Sequence, residues 1–401
     1  MMGTELVDQI TEDGTLVSDF DVKLSDAEKN ALLLDALPGA VVGRYAGERV
    51  VRHGDQVILK KQVTHLGRPW ESFKKRIQIP KRWLEVERQA RADGLRVRFV
   101  GIYAYRGVAV FVDFDPATYV QRKANNSAAH VSTNDLFQAQ TLGQFARVDG
   151  RGNRLTSVRA SEFAAYLSLG YAEDERIGIF REFNDEFLRA ERLQALDAVQ
   201  QMHAVGWPDT FQGEWPGFYL EHRVDEFLRR RGHDEVVRFQ KDKGRGRYDY
   251  DLVMVDGEVV DFYGDLKSSD VTKRESPGND ADGIRRCLEE FGRFWYVIYE
   301  HETEHARDHG NVATIEWNEW KRSVGYERRK PFDPLSYAGR FKQAVRFVSM
   351  KVLEVNAANF GVVLGDFTQG RQPDGAARAL KVMIKKGTID NFLIYSSSVA
   401  A

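Results

Sequence analysis

The alternation of apolar and polar residues along the chain predicts a mixture of strands and helices. Residues 95–104 and 108–114 alternate on either side of an Arg-Gly pair, which predicts a β-hairpin. Residues 70–93 are basic and carry Trp, Phe and aliphatic residues at helical spacing, and residues 177–203 carry a stripe of Phe, Ala and Leu. We therefore predict helices over these two segments.

The pattern of predicted helices and strands changes after a Gly-Trp-Pro sequence at 206–208, and we place a domain boundary there. The patterns beyond it predict a helix, three strands, a helix and a strand, over 218–231, 235–240, 250–255, 259–267, 282–292 and 294–299. Beyond residue 326 the chain is basic and then rich in predicted strands. We accordingly divide the chain into an N-terminal α+β region, a core and a C-terminal extension packed on the core, at 1–205, 206–325 and 326–401.

Composition narrows the class of protein. The chain has 401 residues, of which 42% are hydrophobic and 29% are charged, so we expect a mixed α/β globular protein. No apolar run approaches the roughly 18 residues of a transmembrane helix, and no signal-peptide pattern is present. Cys287 is the only cysteine, which rules out an intramolecular disulfide and a cysteine-based zinc cluster. We expect a cytoplasmic protein without a membrane segment.

Charge is distributed unevenly along the chain. The net charge is −2, yet residues 1–39 contain nine acidic residues and two lysines, whereas residues 60–106 contain thirteen basic and four acidic residues. Such segregation is typical of an anion-binding face, although solvated surface side chains are the alternative for each residue. The predicted DNA-binding set consists of Lys74, Lys75, Arg76, Lys81, Arg82, Lys241, Lys243, Arg245 and Arg247.

The core region contains one group of residues suited to hydrolysis. Asp265 and Lys267 lie two positions apart on a predicted strand, so both side chains should project from one face while Leu266 points to the other. Asp251 lies on the neighbouring strand of the same hairpin. Carboxylates bind Mg²⁺, which activates water, and an ammonium group can position that water and stabilise charge. The pattern favours metal-assisted phosphodiester hydrolysis, and a solvated surface ion pair is the alternative.

The register of the hairpin decides whether these groups meet. A two-residue turn at Asp256-Gly257 would direct Asp251 away from Asp265, whereas a three-residue turn that ends at Glu258 would place them on one face. We predict the longer turn with its bulge, or an equivalent kink. Asp249 has the same strand parity as Asp251 and is the alternative acid.

These residues resemble the motif of the PD-(D/E)xK nuclease superfamily, above all type II restriction endonucleases. The resemblance covers residues 215–300 and rests on Asp251, a gap of thirteen residues, and Asp265-Leu266-Lys267 within an αβββαβ order. It implies that Asp251 and Asp265 are catalytic metal ligands and that Lys267 is catalytic. It also implies a further metal contact from Glu221 on the preceding helix. Tyr250 stands where the motif usually has Pro.

The resemblance implies Mg²⁺-dependent cleavage of double-stranded DNA by a sequence-specific type II restriction endonuclease. It also implies a homodimer, because two antiparallel strands require two sites related by a two-fold axis. Two alternatives of other kinds remain at this point. One is a nuclease of repair or of modification-dependent defence, and the other is a non-catalytic DNA-binding protein.

A rival motif follows the core. His301, Glu302 and His305 match H-E-x-x-H, in which two histidines one helical turn apart bind zinc and the glutamate acts as base. His309 extends the same spacing. Residues 300–309 are almost wholly polar and directly follow a predicted strand, so we interpret them as an exposed polar segment. A zinc peptidase is kept as the remote alternative.

Overall fold

The computed structural model describes residues 5–120, 126–148, 154–171, 173–188, 191–208, 210–240, 248–326, 341–367 and 379–399. Two compact units form the chain. Unit 1 contains Met1–Glu173 and Asp390–Ile394, and unit 2 contains Asp174–Ile389 and Tyr395–Ala401. Both units combine helices with β-sheets, which confirms the mixed α/β class. None of the described helices is long and apolar enough to cross a membrane.

Unit 1 has twelve described strands and five described helices. The strands are β1 (Leu6–Ile10), β2 (Leu16–Phe20), β3 (Val41–Tyr45), β4 (Glu48–His53), β5 (Gln56–Gln62), β6 (Thr64–His65), β7 (Lys74–Pro80), β8 (Arg96–Tyr105), β9 (Val108–Phe114), β10 (Asn126–Ser132), β11 (Gln144–Val148) and β12 (Arg154–Arg159). The helices are α1 (Asp26–Ala36), α2 (Lys81–Ala92), α3 (Ala117–Val120), α4 (Thr133–Leu142) and α5 (Phe163–Leu169). The main sheet has the order β11-β12-β9-β8-β5-β4-β3. Strands β8 and β9 confirm the predicted hairpin.

The predicted helix over residues 70–93 is correct only in its second half. Residues 74–80 form β7, which pairs with β10, and α2 begins at Lys81. Pro80 explains the boundary, because the ring of a proline disfavours helical backbone at the residue before it. In β7 the side chains alternate, so that Lys75, Ile77 and Ile79 are buried while Lys74 is partly exposed.

Unit 2 contains seven described helices and most of the remaining strands. The helices are α6 (Glu175–Phe187), α7 (Ala195–Ala204), α8 (Trp215–Arg231), α9 (Ala281–Phe291), α10 (Val312–Ser323), α11 (Phe360–Val363) and α12 (Lys386–Ile389). The strands are β13 (Leu193–Gln194), β14 (Val237–Phe239), β15 (Leu252–Asp256), β16 (Val259–Asp270), β17 (Glu275–Asp280), β18 (Phe294–His305), β19 (Lys342–Val355), β20 (Leu364–Phe367) and β21 (Lys381–Lys385), and β22 (Leu393–Ser398) ends the described strands. The predicted helix over residues 177–203 is therefore interrupted by β13.

The main sheet of unit 2 has the order β13-β19-β18-β16-β15-β14. Strands β16 and β18 are parallel, and the other ladders on this path are antiparallel. From α8 to β18 the chain follows the predicted succession of helix, three strands, helix and strand, with β17 inserted before α9. Strand β17 pairs with β21 in a separate small sheet.

Helices cover both faces of this sheet. On one face, Tyr299 contacts Phe183 of α6 at 5.8 Å between ring centroids, and Phe183 contacts Phe227 of α8 at 5.2 Å. On the other face, Tyr263 contacts Phe291 of α9 at 5.5 Å. Because α6 carries Phe183 into this core, it belongs to unit 2. The observed division therefore lies at residues 173 and 174, whereas the sequence pattern places it at 205.

A β-bulge in β16 shifts the register of the β15–β16 hairpin. Asp256 pairs with Val259 across a two-residue turn, but the register changes between Met254 and Val255, and Asp261 is the extra residue. Arg176 holds this bulge. Its guanidinium donates to the Val255 carbonyl at 3.0 Å and lies 2.7 Å from the Asp261 carboxylate.

We expect Arg176→Leu to destabilise the protein by about 1–3 kcal/mol, because the buried Val255 carbonyl would lose a charged donor. Urea unfolding followed by circular dichroism measures this change. Arg322→Leu is the matched control, since Arg322 is exposed on α10 and surface substitutions of this kind change stability by only about 0.5 kcal/mol. Equal stability of the two variants would show that Arg176 does not support the bulge.

Candidate active site

The bulge brings the two predicted acidic residues together. Leu252, the first residue of β15, lies opposite Gly264, so Asp251, which comes just before the strand, lies beside Asp265. The turn has two residues and not three, so the second form of the prediction, an equivalent kink in the hairpin, is the one observed. The extra residue Asp261 has the effect that the prediction required, since one added residue restores the parity that puts both aspartates on one face.

Backbone hydrogen bonds fix the two aspartates against each other. The amide of Asp251 donates to Oδ1 of Asp265 at 3.2 Å, and the amide of Leu266 donates to Oδ2 of Asp251 at 3.0 Å. Both residues are only 2% exposed. The ammonium group of Lys267 forms an ion pair with Oδ2 of Asp265. The structure therefore brings Asp251, Asp265 and Lys267 into one group.

Aromatic residues form the wall behind this group. Tyr296 pairs with Asp265 in the parallel ladder, and the Lys267 ammonium lies 6.0 Å from the centroid of its ring. The Tyr296 hydroxyl accepts a hydrogen bond from the amide of Asn279 at 3.2 Å. Burial raises the pKa of the Tyr296 and Tyr250 hydroxyls, with a further contribution from the charge of Asp265, so both remain protonated.

The structure distinguishes the two candidates for the first acid. Asp249 is exposed, whereas Asp251 is buried and hydrogen-bonded to the Asp265 strand. Strand parity is the same for both residues, so periodicity alone could not separate them. Asp251 is the residue whose carboxylate lies at the site.

Glu221 does not join the two aspartates. It is half-buried on α8, and a Cβ built on Gly217, one turn earlier, would lie 4.0 Å from Ser268. Since Ser268 projects from the face opposite to Asp265, α8 packs on that opposite face. Within the described ranges, no three His, Cys, Asp or Glu residues form a group that could hold a metal ion. A Mg²⁺ ion here would take its side-chain ligands from Asp251 and Asp265, and its other ligands from water and substrate oxygens.

The structure describes some members of the predicted DNA-binding set and not others. Lys241, Lys243, Arg245 and Arg247 lie outside the described residues. Lys75 is wrongly included, because its side chain is fully buried and lies 3.4 Å from Asp21. The others are accessible to differing degrees: Lys74 and Arg76 are partly buried on β7, whereas Lys81 and Arg82 are exposed on α2.

The H-E-x-x-H sequence lies in a strand. His301 and His305 belong to β18, where four residues span about 13 Å, so the two rings cannot bind one zinc ion as they do on a helix. His301 is fully buried, its Nδ1 lies 3.0 Å from the Thr303 hydroxyl, and its Nε2 lies 3.5 Å from the Lys342 ammonium. The zinc peptidase hypothesis is therefore wrong. So is the interpretation of this whole segment as exposed, since β18 continues through it and pairs with β19.

The burial of His301 predicts a pH dependence of stability. Burial, with a contribution from Lys342, lowers the pKa of His301 from 6.5 to about 3. Below pH 6.5 the unfolded chain therefore binds a proton that the folded chain does not, and stability falls as the pH drops towards 3. The loss is up to about 1.4 kcal/mol per pH unit. Urea unfolding above pH 6.5 and midway between 6.5 and 3 measures it.

We expect His301→Gln to remove most of this pH dependence. His309→Gln is the matched control, because His309 is exposed and should keep the wild-type profile. If His301→Gln and His309→Gln show the same loss of stability on acidification, His301 is not the titrating group.

Residues 54–167 match the family model described as Methylase-associated X1. The matched segment begins just before β5 and ends in α5, and it lies wholly in unit 1. Neither the curated proteins nor the solved structures contain a match to this chain. The match covers less than a third of the chain, and the family description, which names an association with methylases, suggests a restriction–modification context for this segment.

Proposed function

We propose that the protein is a Mg²⁺-dependent endonuclease that hydrolyses phosphodiester bonds of double-stranded DNA. The observation that carries the proposal is the convergence of Asp251, Asp265 and Lys267 on one face of the β15–β16 hairpin. Two adjacent carboxylates provide the hard oxygen ligands that Mg²⁺ prefers, and the neighbouring amine suits a role in hydrolysis. The succession of helix, three strands, helix and strand supports a nuclease core related to restriction endonucleases.

The residues of the site have distinct roles in this proposal. Asp251 and Asp265 would hold Mg²⁺, which when bound neutralises the scissile phosphate and lowers the pKa of water. Lys267 would position the attacking water and stabilise the negative charge that develops on the phosphate. Its ion pair with Asp265 directs the ammonium group to this face of the sheet. The Tyr296 ring limits access of bulk water from behind.

The match of unit 1 to a methylase-associated family supports a role in restriction. We therefore propose a sequence-specific type II restriction endonuclease that acts as a homodimer, so that two sites cut the two antiparallel strands. Modification-dependent restriction is the second candidate. A nuclease associated with a methylase could cut only methylated DNA, or methylation could protect the DNA from cleavage. Cleavage of matched methylated and unmethylated plasmids, with Mg²⁺ and with an EDTA control, distinguishes the two.

We expect Asp265→Ala and Lys267→Ala each to reduce cleavage at least about a hundredfold, because both remove a group that acts in the transition state. Plasmid nicking measures cleavage, and a mobility shift in Ca²⁺ measures DNA binding, which should remain. Asp256→Asn is the control, since Asp256 is an exposed aspartate on the same hairpin. Cleavage near the wild-type level in either alanine variant would refute the assignment. DNA binding without any Mg²⁺-dependent nicking by the wild type would instead favour a non-catalytic protein.

The two neighbouring aspartates allow a second comparison. We expect Asp251→Asn to abolish cleavage, because it removes one of the two carboxylates, whereas Asp249→Asn should retain activity within about threefold, as expected for an exposed side chain. The same plasmid assay measures both variants. The reverse order of activities would show that Asp249 is the first acid and that the site rearranges when DNA binds.

A further inference from the structure

A concave pocket on unit 1 is lined mainly by basic residues. Its cavity volume is about 230 Å³, the volume of several water molecules. Five secondary-structure elements supply its charged side chains, which are Asp26 and Lys29 of α1, Arg44 of β3, Glu48 and Arg49 of β4, Lys60 and Lys61 of β5, and Arg82 of α2. Six basic residues therefore face two acidic ones.

Sheet register places three of these cations in a row. Arg44 lies directly opposite Arg49 in the antiparallel β3–β4 ladder. The register of β4 with β5 pairs Val51 with Ile58, and continued by two residues it would place Lys60 beside Arg49, whose charge acts on the Lys60 ammonium group. Like charges directly opposite each other destabilise a sheet. The row is therefore unfavourable for the isolated fold, and a bound anion would relieve it.

The two acidic residues balance only part of this charge. Asp26 lies 2.6 Å from Lys29 and 3.7 Å from Arg49. Glu48 lies 2.8 Å from Arg82. Arg44, Lys60 and Lys61 form no ion pair with a carboxylate among the described residues.

The surroundings of Lys60 destabilise its charged form. Its side chain is half-buried, and burial lowers the pKa of its ammonium group, against the opposing effect of the Asp26 carboxylate and with smaller contributions from Lys29 and Arg49. A buried cation normally has a partner, because desolvation without one is costly. The carboxylate near Lys60 is that of Asp26, which already pairs with Lys29 and Arg49, so a ligand oxygen would give Lys60 a partner of its own.

We infer that this pocket binds a phosphoryl group of a nucleotide or of a nucleic-acid strand. Arg and Lys are the side chains that recognise phosphate oxygens, Arg by paired hydrogen bonds and Lys as a point charge. Trp83 also lines the pocket but is only 2% exposed, so its ring is not available to stack on a base. The recognised chemistry is therefore the phosphate, and the site is separate from the Asp251–Asp265 pair.

Binding without divalent metal tests this inference independently of nuclease activity. The full chain carrying Asp265→Ala is titrated in EDTA with inorganic pyrophosphate, with dAMP and with a fluorescein-labelled DNA duplex. Calorimetry follows the two small ligands, and anisotropy follows the duplex. Binding of pyrophosphate or dAMP identifies a free phosphorylated ligand, and binding of the duplex alone identifies a strand phosphate.

Two variants and a control connect that binding to the pocket. Arg44→Gln and Lys60→Met should each weaken binding about tenfold, because each removes a charged hydrogen-bond donor. Neither should lower the thermal unfolding midpoint, since each relieves repulsion in the cation row. Arg88→Gln is the control, because Arg88 is exposed on α2 and does not line the pocket. Wild-type affinity for all three probes in both variants, or no binding of any probe at low salt, would overturn the inference.

Discussion

The candidate site depends on the strict alternation of side chains in a β-strand. In the β15–β16 hairpin the two-residue turn alone would pair Asp251 with Gly264, and the two aspartates would then project from opposite faces. The single extra residue Asp261 corrects the parity. Arg176 stabilises that correction from outside the hairpin, through the Val255 carbonyl and the Asp261 carboxylate. The chemistry proposed for unit 2 therefore rests on a bulge that a helix 79 residues away in sequence holds in place.

Local periodicity predicts the helices and strands from α8 to β18 apart from β17, and the face shared by Asp265 and Lys267, but it misses β7 and the break at β13. It could not locate the bulge, because Arg176 is distant in sequence and no pattern around 259–267 marks the extra residue. It also could not place Glu221 relative to the sheet, since helix patterns identify a buried face but not the face of the sheet that receives it. The predicted elements follow one another in the predicted order with β17 added before α9, and Glu221, the third acid that the resemblance implied, is not part of the group.

Tertiary contacts explain why the H-E-x-x-H segment was misinterpreted. A run of polar residues predicts exposure when each side chain is considered alone. In the fold, Glu302 forms an ion pair with Arg346 at 2.8 Å on the neighbouring strand, and Glu304 pairs with Arg192. His301 is enclosed beside Lys342 and Phe347. Cross-strand partners thus allow β18 to extend through a sequence with little hydrophobic character.

The segregated charges of unit 1 are largely neutralised within it. The acidic N-terminal residues Glu5, Asp19 and Asp21 form ion pairs with Arg68, Arg106 and Lys75 of the basic segment, so the excess counted from the sequence overstates the charge that faces solvent. Among the cations that form no ion pair with a carboxylate of the described residues, Lys60 and Lys61 lie together in the pocket, where Arg44 of β3 joins them. This cluster of cations is a stronger argument for an anion site than the overall charge of the segment, because it remains after the internal ion pairs have been accounted for.

The two proposed sites would interact with phosphate in physically different ways. The formal charges of Asp251, Asp265 and Lys267 sum to −1, so this group alone would repel a phosphate, and a bound Mg²⁺ would reverse the sign of the site. Under the proposed function, it contributes to catalysis but cannot supply the metal-independent part of the affinity for DNA. That part requires fixed cations, and the basic pocket of unit 1 is the site proposed to supply them. The charges of the side chains therefore favour two separate phosphate sites. The carboxylate site would act with a bound metal, and the cationic site would act without one.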